Sequence, residues 1–335
     1  MAAQHSALST QHSVLNSFSR IFRAVGMEII LLAFCVALAF AAPGFFSTGN
    51  LLDILRSVSM QGIIAFGMTM VIISGEIDLS VGSAVAFSAA ITAWLMRSLG
   101  SLGLPSYAAV PLACAASLAL GFGIGCVTGI LRIRFRIPSF ISTLALMTGL
   151  SGLAFLVTNG FAIVISAEYQ WFDFLGAGYV WKVPFPAILL VIMFAVFHFL
   201  MNYTPFGRSI YAIGGNAKAA RLSGIKVGKV RILVFGITTM LAAASGILAA
   251  SQQGAGAPTA GRQWELDVIA AVIIGGTSLS GGSGRIWGTM VGVMFLGVIL
   301  NGLTLLNVNE YWQLVVRGLL IVSAVLINQM HAREK

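Results

Sequence analysis

From residue 27 onward the chain alternates long apolar runs with short clusters of glycine, serine or basic residues. About twenty consecutive apolar residues cross a bilayer as a helix. That rule selects ten segments, roughly residues 27–46, 58–74, 81–96, 107–131, 138–158, 184–202, 232–251, 266–280, 286–306 and 311–328. The pattern predicts an all-α polytopic membrane protein with about ten transmembrane helices. Three segments, 58–74, 81–96 and 266–280, are short and end in Gly/Ser clusters. Residues 1–26, rich in Ser, Gln and His, read as a disordered cytoplasmic tail, and 329–335 as a second, shorter one. The membrane domain is then 27–328. Its first run contains Ala37-Leu38-Ala39, which has the form of a peptidase site, but the run is about a full span and others follow it. It is read as a retained helix.

Composition agrees with the pattern and narrows it. Hydrophobic residues make up 58% of the 335 residues and charged residues only 9%, whereas globular chains are about a quarter charged. A soluble enzyme, a disordered chain and a disulfide scaffold are excluded. Cys35, Cys114 and Cys126 all lie in apolar runs and form no Cys-x-x-Cys pair, so they read as small buried hydrophobes. The four histidines are scattered, and no metal site is expected.

The net charge of +9 would suggest nucleic acid in a soluble protein. In a membrane protein it marks cytoplasmic loops and contact with lipid head groups, so no nucleic-acid partner is expected. With the N-terminus in the cytoplasm and ten spans, 14 of the 19 basic residues fall inside, including Arg132, Arg134 and Arg136 and six between Tyr203 and Arg231. Six acids fall outside: Asp53, Glu168, Asp173, Glu265, Asp267 and Glu310. Both termini are expected in the cytoplasm. Within the spans, Gly121, Gly125 and Gly129, and likewise Gly288 and Gly292, recur at i+4; small residues so spaced let helix backbones approach closely.

Three segments are more polar or glycine-rich than plain connections require. The first runs from Ile73 to Ser83 and holds Gly75, Glu76, Asp78, Ser80 and Gly82. One reading is a tight turn in which Asp78 or Ser80 caps the next helix. The other is a broken helix whose unwound backbone enters the protein interior and lines a pathway. The second segment, Val272 to Arg285, includes Gly275, Gly276 and Thr277. It lacks the Gly-x4-Gly-Lys-Ser/Thr of a phosphate-binding loop. It shares Val-Ile-Ile, Gly, Leu-Ser and Gly-Ser with Val71–Ser83, which raises the idea of a duplicated hairpin. The third is the basic loop 203–231. Asn216 suits an N-cap, 217–222 are good helix formers, and Gly224 suits a C-terminal stop. The loop is expected to carry a short helix along the cytoplasmic surface, held either by anionic lipid or by a docking partner.

Taken together, these segments resemble the permease subunits of bacterial ABC importers for monosaccharides, the ribose/xylose/arabinose/galactose group. The likeness covers about residues 25–328. It rests on Ile77-Asp78-Leu79-Ser80-Val81-Gly82, on Gly207-Arg208 with Tyr211-Ala212-Ile213-Gly214-Gly215-Asn216, and on Leu222-Ser223-Gly224-Ile225. The stretch Glu265 to Thr277 and Tyr311-Trp312-Gln313 extend it, closest to ribose-type members.

The resemblance implies a transport subunit of the bacterial inner membrane, not an enzyme. It implies a ten-helix permease paired with a second copy or paralogue, an ATP-binding subunit beneath and an extracytoplasmic sugar-binding protein above. ATP and its magnesium belong to the partner ATPase, and this chain binds no cofactor. The coupling residues it implies are Gly207, Arg208, Asn216, Ala219, Ala220, Arg221, Leu222, Ser223 and Gly224. Two departures stand out. The importer-wide Glu-Ala-Ala of this loop reads Ala217-Lys218-Ala219-Ala220 here, without the glutamate, and Glu76 stands where many ribose-type members have a small residue.

A translocation path needs polar groups on apolar helices, and Gln61, Thr69, Gln252, Gln253 and Asn301 are the candidates; each equally suits an interhelical hydrogen bond. The competing classes are an ion-gradient-driven secondary transporter or facilitator, and a non-transporting scaffold. Arg317 is the one charge well inside a predicted span, so no proton or sodium relay is expected.

Overall fold

The computed structural model describes residues 26–333, with side chains described through 326. The predicted tails, 1–26 and 329–335, therefore fall almost wholly outside the described side chains. Among the described residues, twelve helices run in chain order: α1 Gly26–Ala41, α2 Thr48–Ile73, α3 Val81–Ser101, α4 Ser106–Arg134, α5 Ser139–Thr158, α6 Asp173–Ala177, α7 Phe185–Tyr203, α8 Pro205–Leu222, α9 Val227–Gln253, α10 Trp264–Ile274, α11 Ile286–Leu305 and α12 Glu310–Arg333. A 3₁₀ turn, Ala167–Phe172, precedes α6. Two antiparallel pairs of two-residue strands are the described extended pairings: β1 Ile163–Val164 with β4 Ala255–Gly256, and β2 Tyr179–Val180 with β3 Val183–Pro184.

Six of these helices, α2, α4, α5, α7, α9 and α11, are long and apolar enough to cross a membrane, and α1 is a shorter apolar helix. The chain is a polytopic helical membrane protein. Its layering follows from burial. The apolar windows of α2, α9 and α11 are 83%, 72% and 61% buried, against 22–28% for α4, α5 and α7. The first three form the centre; the others show Leu120, Val127, Phe140, Leu156, Val191 and Phe199 to the outside. An apolar exterior suits lipid, where burial away from water needs no polar shell.

The glycine stripe of α4 explains its seat on α9. A side chain at Gly121 would stand 2.7 Å from the Ala243 Cβ, one at Gly129 2.6 Å from the Ile232 Cα, and one at Gly125 would collide with the Phe235 carbonyl. Gly288 and Gly292 of α11 meet the carbonyls of Gly275, just past α10, and of Ala271 within it in the same way. Both i+4 pairs are packing devices, as their spacing predicted.

Several element lengths depart from the hydropathy reading, among them those of α2, α9 and α10. α2 begins at Thr48, well before the run at 58, because Asn50, Asp53 and Arg56 lower the hydropathy of its first turns without breaking the helix. Its start is capped instead by the Ser47 hydroxyl, which accepts from the Asn50 amide at 3.3 Å. α9 likewise begins at Val227, ahead of 232, carrying Lys229 and Arg231 in its opening turns. The segment 266–280 yields only α10, with 11 residues. That is about 16 Å of helix, half of what a bilayer core requires.

α10 stops at Gly275 and Gly276, six residues short of 280, while the connection before it sets where it begins. After α9, the chain runs back along α3. A side chain at Gly256 would stand 2.6 Å from the Ala89 carbonyl and 2.6 Å from the Ala93 Cβ, and one at Gly261 2.6 Å from Val85 Cγ1. α10 thus starts beside the first turn of α3, and Glu265 and Asp267, expected in an outside loop, lie in its first turn.

Candidate functional site

The three marked segments meet. α2 and α10 end in the same way. Gly75 (φ +79°) and Gly276 (φ +86°) take the left-handed conformation. The Gly75 amide donates to the Ile72 carbonyl at 2.9 Å and the Glu76 amide to Val71 at 3.1 Å; Gly276 donates to Ile273 at 2.9 Å and Thr277 to Val272 at 3.2 Å. Both are Schellman stops on a Val-Ile-Ile turn, and this equivalence supports a duplicated hairpin. The two loops touch: the Gly282 amide donates to the Ile73 carbonyl at 2.9 Å. Gly214 of α8 packs on that same carbonyl, where a Cβ has no room. The Tyr211 hydroxyl donates to the Gly284 carbonyl at 3.0 Å, and burial pushes its pKa up against the opposing pull of Arg285. Thr277, also buried, lies under Gly284.

Glu76 is the charged centre of this junction. Its side chain is 2% exposed, and Arg132 Nε donates to both carboxylate oxygens at 2.9 Å. Arg231 Nη1 stands 3.1 Å from Oε1, while its Nη2 donates to the Ser74 carbonyl at 3.4 Å. A buried carboxylate is tolerated when its charge is matched in this way. The clamp ties the α2–α3 connection to the end of α4 and the start of α9.

Asp78 is buried and turns inward on its own segment. Its Oδ1 accepts from the Ser80 amide at 2.8 Å and the Ser80 hydroxyl at 2.6 Å, a local Asx turn. The expected cap is not formed. Ser80 occupies the N-cap of α3 without a side-chain bond, and its hydroxyl donates to Asp78. Burial pushes the Asp78 carboxyl above the usual range, against the two Ser80 bonds that lower it. Residues 76–80 are non-helical, and the Ile77 amide donates to the Ser139 hydroxyl of α5 at 3.3 Å. The connection between α2 and α3 is thus irregular over these five residues.

α8 is longer than expected and bent. Asn216 (φ −159°, ψ 99°) divides it, and its Oδ1 accepts from the Lys218 and Ala219 amides, both at 3.0 Å. The second arm ends at Gly224 (φ +86°), whose amide donates to Arg221 at 3.1 Å while Ile225 donates to Ala220 at 3.0 Å. Both sequence-predicted caps are in place. Ala220 packs with Ile213 and Val227 beneath the arm. Asn216, Ala219, Arg221, Ser223 and Gly224 are exposed, and Leu222 stands 83% exposed. The first arm, absent from the sequence reading, is capped by Thr204 Oγ1, which accepts from the Gly207 amide at 3.2 Å. Gly207 is buried against Met201, and Arg208 is exposed.

The five path candidates scatter. Gln61 donates to Asp267 Oδ2 at 3.1 Å, and Arg317 Nε stands 3.0 Å from Oδ1 of the same carboxylate. Arg317 therefore has a matched charge. Thr69 and Thr289 share a hydrogen bond of 2.7 Å. Asn301 and Asn50 exchange two bonds of 3.0 and 2.8 Å. Gln252 and Gln253 are exposed at the end of α9.

None of the five borders the 490 Å³ cavity between α3, α5 and the returning 254–263 connection, whose polar lining is Ser83, Thr148, Ser151, Thr259, Arg262, Gln263 and Glu265. Glycines marked the approach of this connection to α3, but single glycines in a sequence with 38 of them carry no address.

Residues 50–325 match the family described as branched-chain amino acid transport system / permease component. The ribose import permease protein RbsC of Bacillus subtilis is 41% identical over 312 residues, 93% of this chain and 94% of its own. The probable ABC transporter permease protein YphD of Escherichia coli is 43% identical over 92% of this chain and 90% of its own. The L-arabinose transport system permease protein AraH of Escherichia coli is 35% identical over 95% and 94%. No solved structure matches. With both the family match and these relatives spanning most of the sequence, the chain belongs to this family of ABC transport permeases.

Proposed function

We propose that this chain is the membrane-spanning permease of an ATP-driven importer that carries a monosaccharide, ribose-type by its relatives, across the bacterial inner membrane. The single observation that carries the coupling part of this reading is the capped second arm of α8. It is fixed at both ends by local bonds, seated on Ile213 and Val227, and presents Leu222 and Arg221 outward. A short helix so exposed needs a surface to pack on.

In this reading the occupant is the partner ATPase, which holds ATP and magnesium. The importer-wide glutamate is absent from the arm, and Arg208 and Arg221 supply the charge contacts instead. Ten membrane crossings, with α10 completed by the returning connection, place both termini and the arm in the cytoplasm, as the basic loops favour. A second permease copy or a paralogue closes the path, and an extracytoplasmic binding protein delivers the sugar. ATP binding draws the two arms together; Gly214 and the Glu76 clamp transmit that movement to the ends of α2, α4 and α9.

The test is coupling. In vesicles holding the complete importer, Gly224→Asp and Arg208→Glu are expected to leave membrane insertion intact and to abolish sugar-stimulated ATP hydrolysis together with uptake. Hydrolysis stimulated to the wild-type level in both variants would remove the arm from its assigned role.

A further inference from the structure

The cavity beside α3 combines features that lipid contact and ordinary packing leave unexplained. α5 has 20 residues, about 30 Å, enough to cross the hydrocarbon core once. Thr148 and Ser151, which face the cavity, fall at its middle, so the cavity lies at the depth where lipid would be driest. Arg262 and Glu265 join them there, with Thr148, Thr259 and Arg262 exposed. Charged groups at that depth face water or protein, not lipid chains. The wall is also shaped for approach: a Cβ at Gly82 would collide with the Glu265 carboxylate and stand 2.7 Å from the Gly261 carbonyl. Glycine at 82 lets the carboxylate lie against the first turn of α3, where the helix dipole favours negative charge.

We propose that this cavity is the transit site of the permease, and that it takes a neutral, polyhydroxylated solute. The inference rests on the permease reading above and adds the place and the chemistry. One guanidinium and one carboxylate leave the lining with no net charge, so neither an anion nor a cation is selected. The Glu265 carboxylate accepts from solute hydroxyls and Arg262 donates to them. The hydroxyls of Ser83, Thr148, Ser151 and Thr259 do either. Met147 and Phe155 offer apolar surface to the carbon faces of a ring. A volume of 490 Å³ lies within the range of small-molecule sites.

Labelling from the aqueous phase tests it. In a variant with Cys35, Cys114 and Cys126 replaced by alanine, Thr148→Cys, Ser151→Cys and Leu156→Cys are made singly and assembled into the complete importer in vesicles. A charged, membrane-impermeant thiol reagent is expected to modify the cysteines at 148 and 151. It should spare the one at 156, since Leu156 is 73% exposed on the outer face of the same helix. Ribose in excess should slow the modification at 151. Modification should lower ribose uptake by about tenfold or more, because a filled site admits no second solute. No modification at 148 and 151, or uptake unchanged after full modification, overturns the assignment while the importer reading stands. Protection and uptake with leucine in place of ribose overturns the solute class. Failure of the unmodified complex to take up ribose with ATP overturns the importer reading itself.

Discussion

Glu76 shows what a single residue reveals in sequence and what it hides. Its oddness was legible, as an acid with no basic neighbour in a chain with ten acids. Its partners were not, because Arg132 is 56 residues away and Arg231 lies beyond two further spans. Only tertiary packing brings the three together. Removing one member of a buried ion pair strands the other charges and costs about 3 kcal/mol. Glu76→Ala leaves two guanidiniums facing each other, one of them 14% exposed. It is expected to lower the detergent melting temperature of the purified permease, and Arg132→Ala, at a side chain 27% exposed, to lower it less. Equal melting for wild type and Glu76→Ala would show that the clamp contributes nothing. Asp78 is the opposite case: the sequence marked it or Ser80 as a cap, but its Oδ1 accepts from the Ser80 amide and hydroxyl within its own turn.

Elements were legible in proportion to how local their determinants are. The second arm of α8 was readable because Asn216 and Gly224 act within one turn of themselves. The repeat of Val-Ile-Ile followed by Gly was readable for the same reason, since a Schellman stop is written in adjacent residues. The path into α10 was not: the stop at Gly275 and Gly276 ends the helix, but nothing in the sequence shows that the connection before it runs along α3. The arm's local construction makes it testable alone. Losing an N-cap costs about 1 kcal/mol, so Asn216→Ala should speed deuterium exchange of the 217–222 amides and weaken copurification with the ATPase. Asn216→Asp should retain both. Unchanged exchange in Asn216→Ala would mean that packing on Ile213 and Val227, not the cap, holds the arm.

At the scale of the whole molecule, the low charge content and the periodic apolar runs were enough for a helical membrane protein. Which helices form the centre was not readable, because α7 and α9 have nearly equal hydropathy, 2.2 and 2.1, yet α9 is mostly buried and α7 is not. Lipid and protein interior are both apolar, so hydropathy alone does not separate them. The same ambiguity concealed the cavity: Ser83, Thr148 and Ser151 read as ordinary span residues, and Thr259, Arg262 and Glu265 as part of an outside loop. The account joins an exposed arm, a buried clamp and a mid-depth cavity into one machine, and its central claim is that ATP on a partner drives sugar through this chain. The most direct measurement is uptake of labelled ribose into vesicles carrying this permease, its ATPase and its binding protein, with and without ATP. The account predicts accumulation that requires both the ATPase and ATP. Equal uptake by the permease alone, without either, would contradict it.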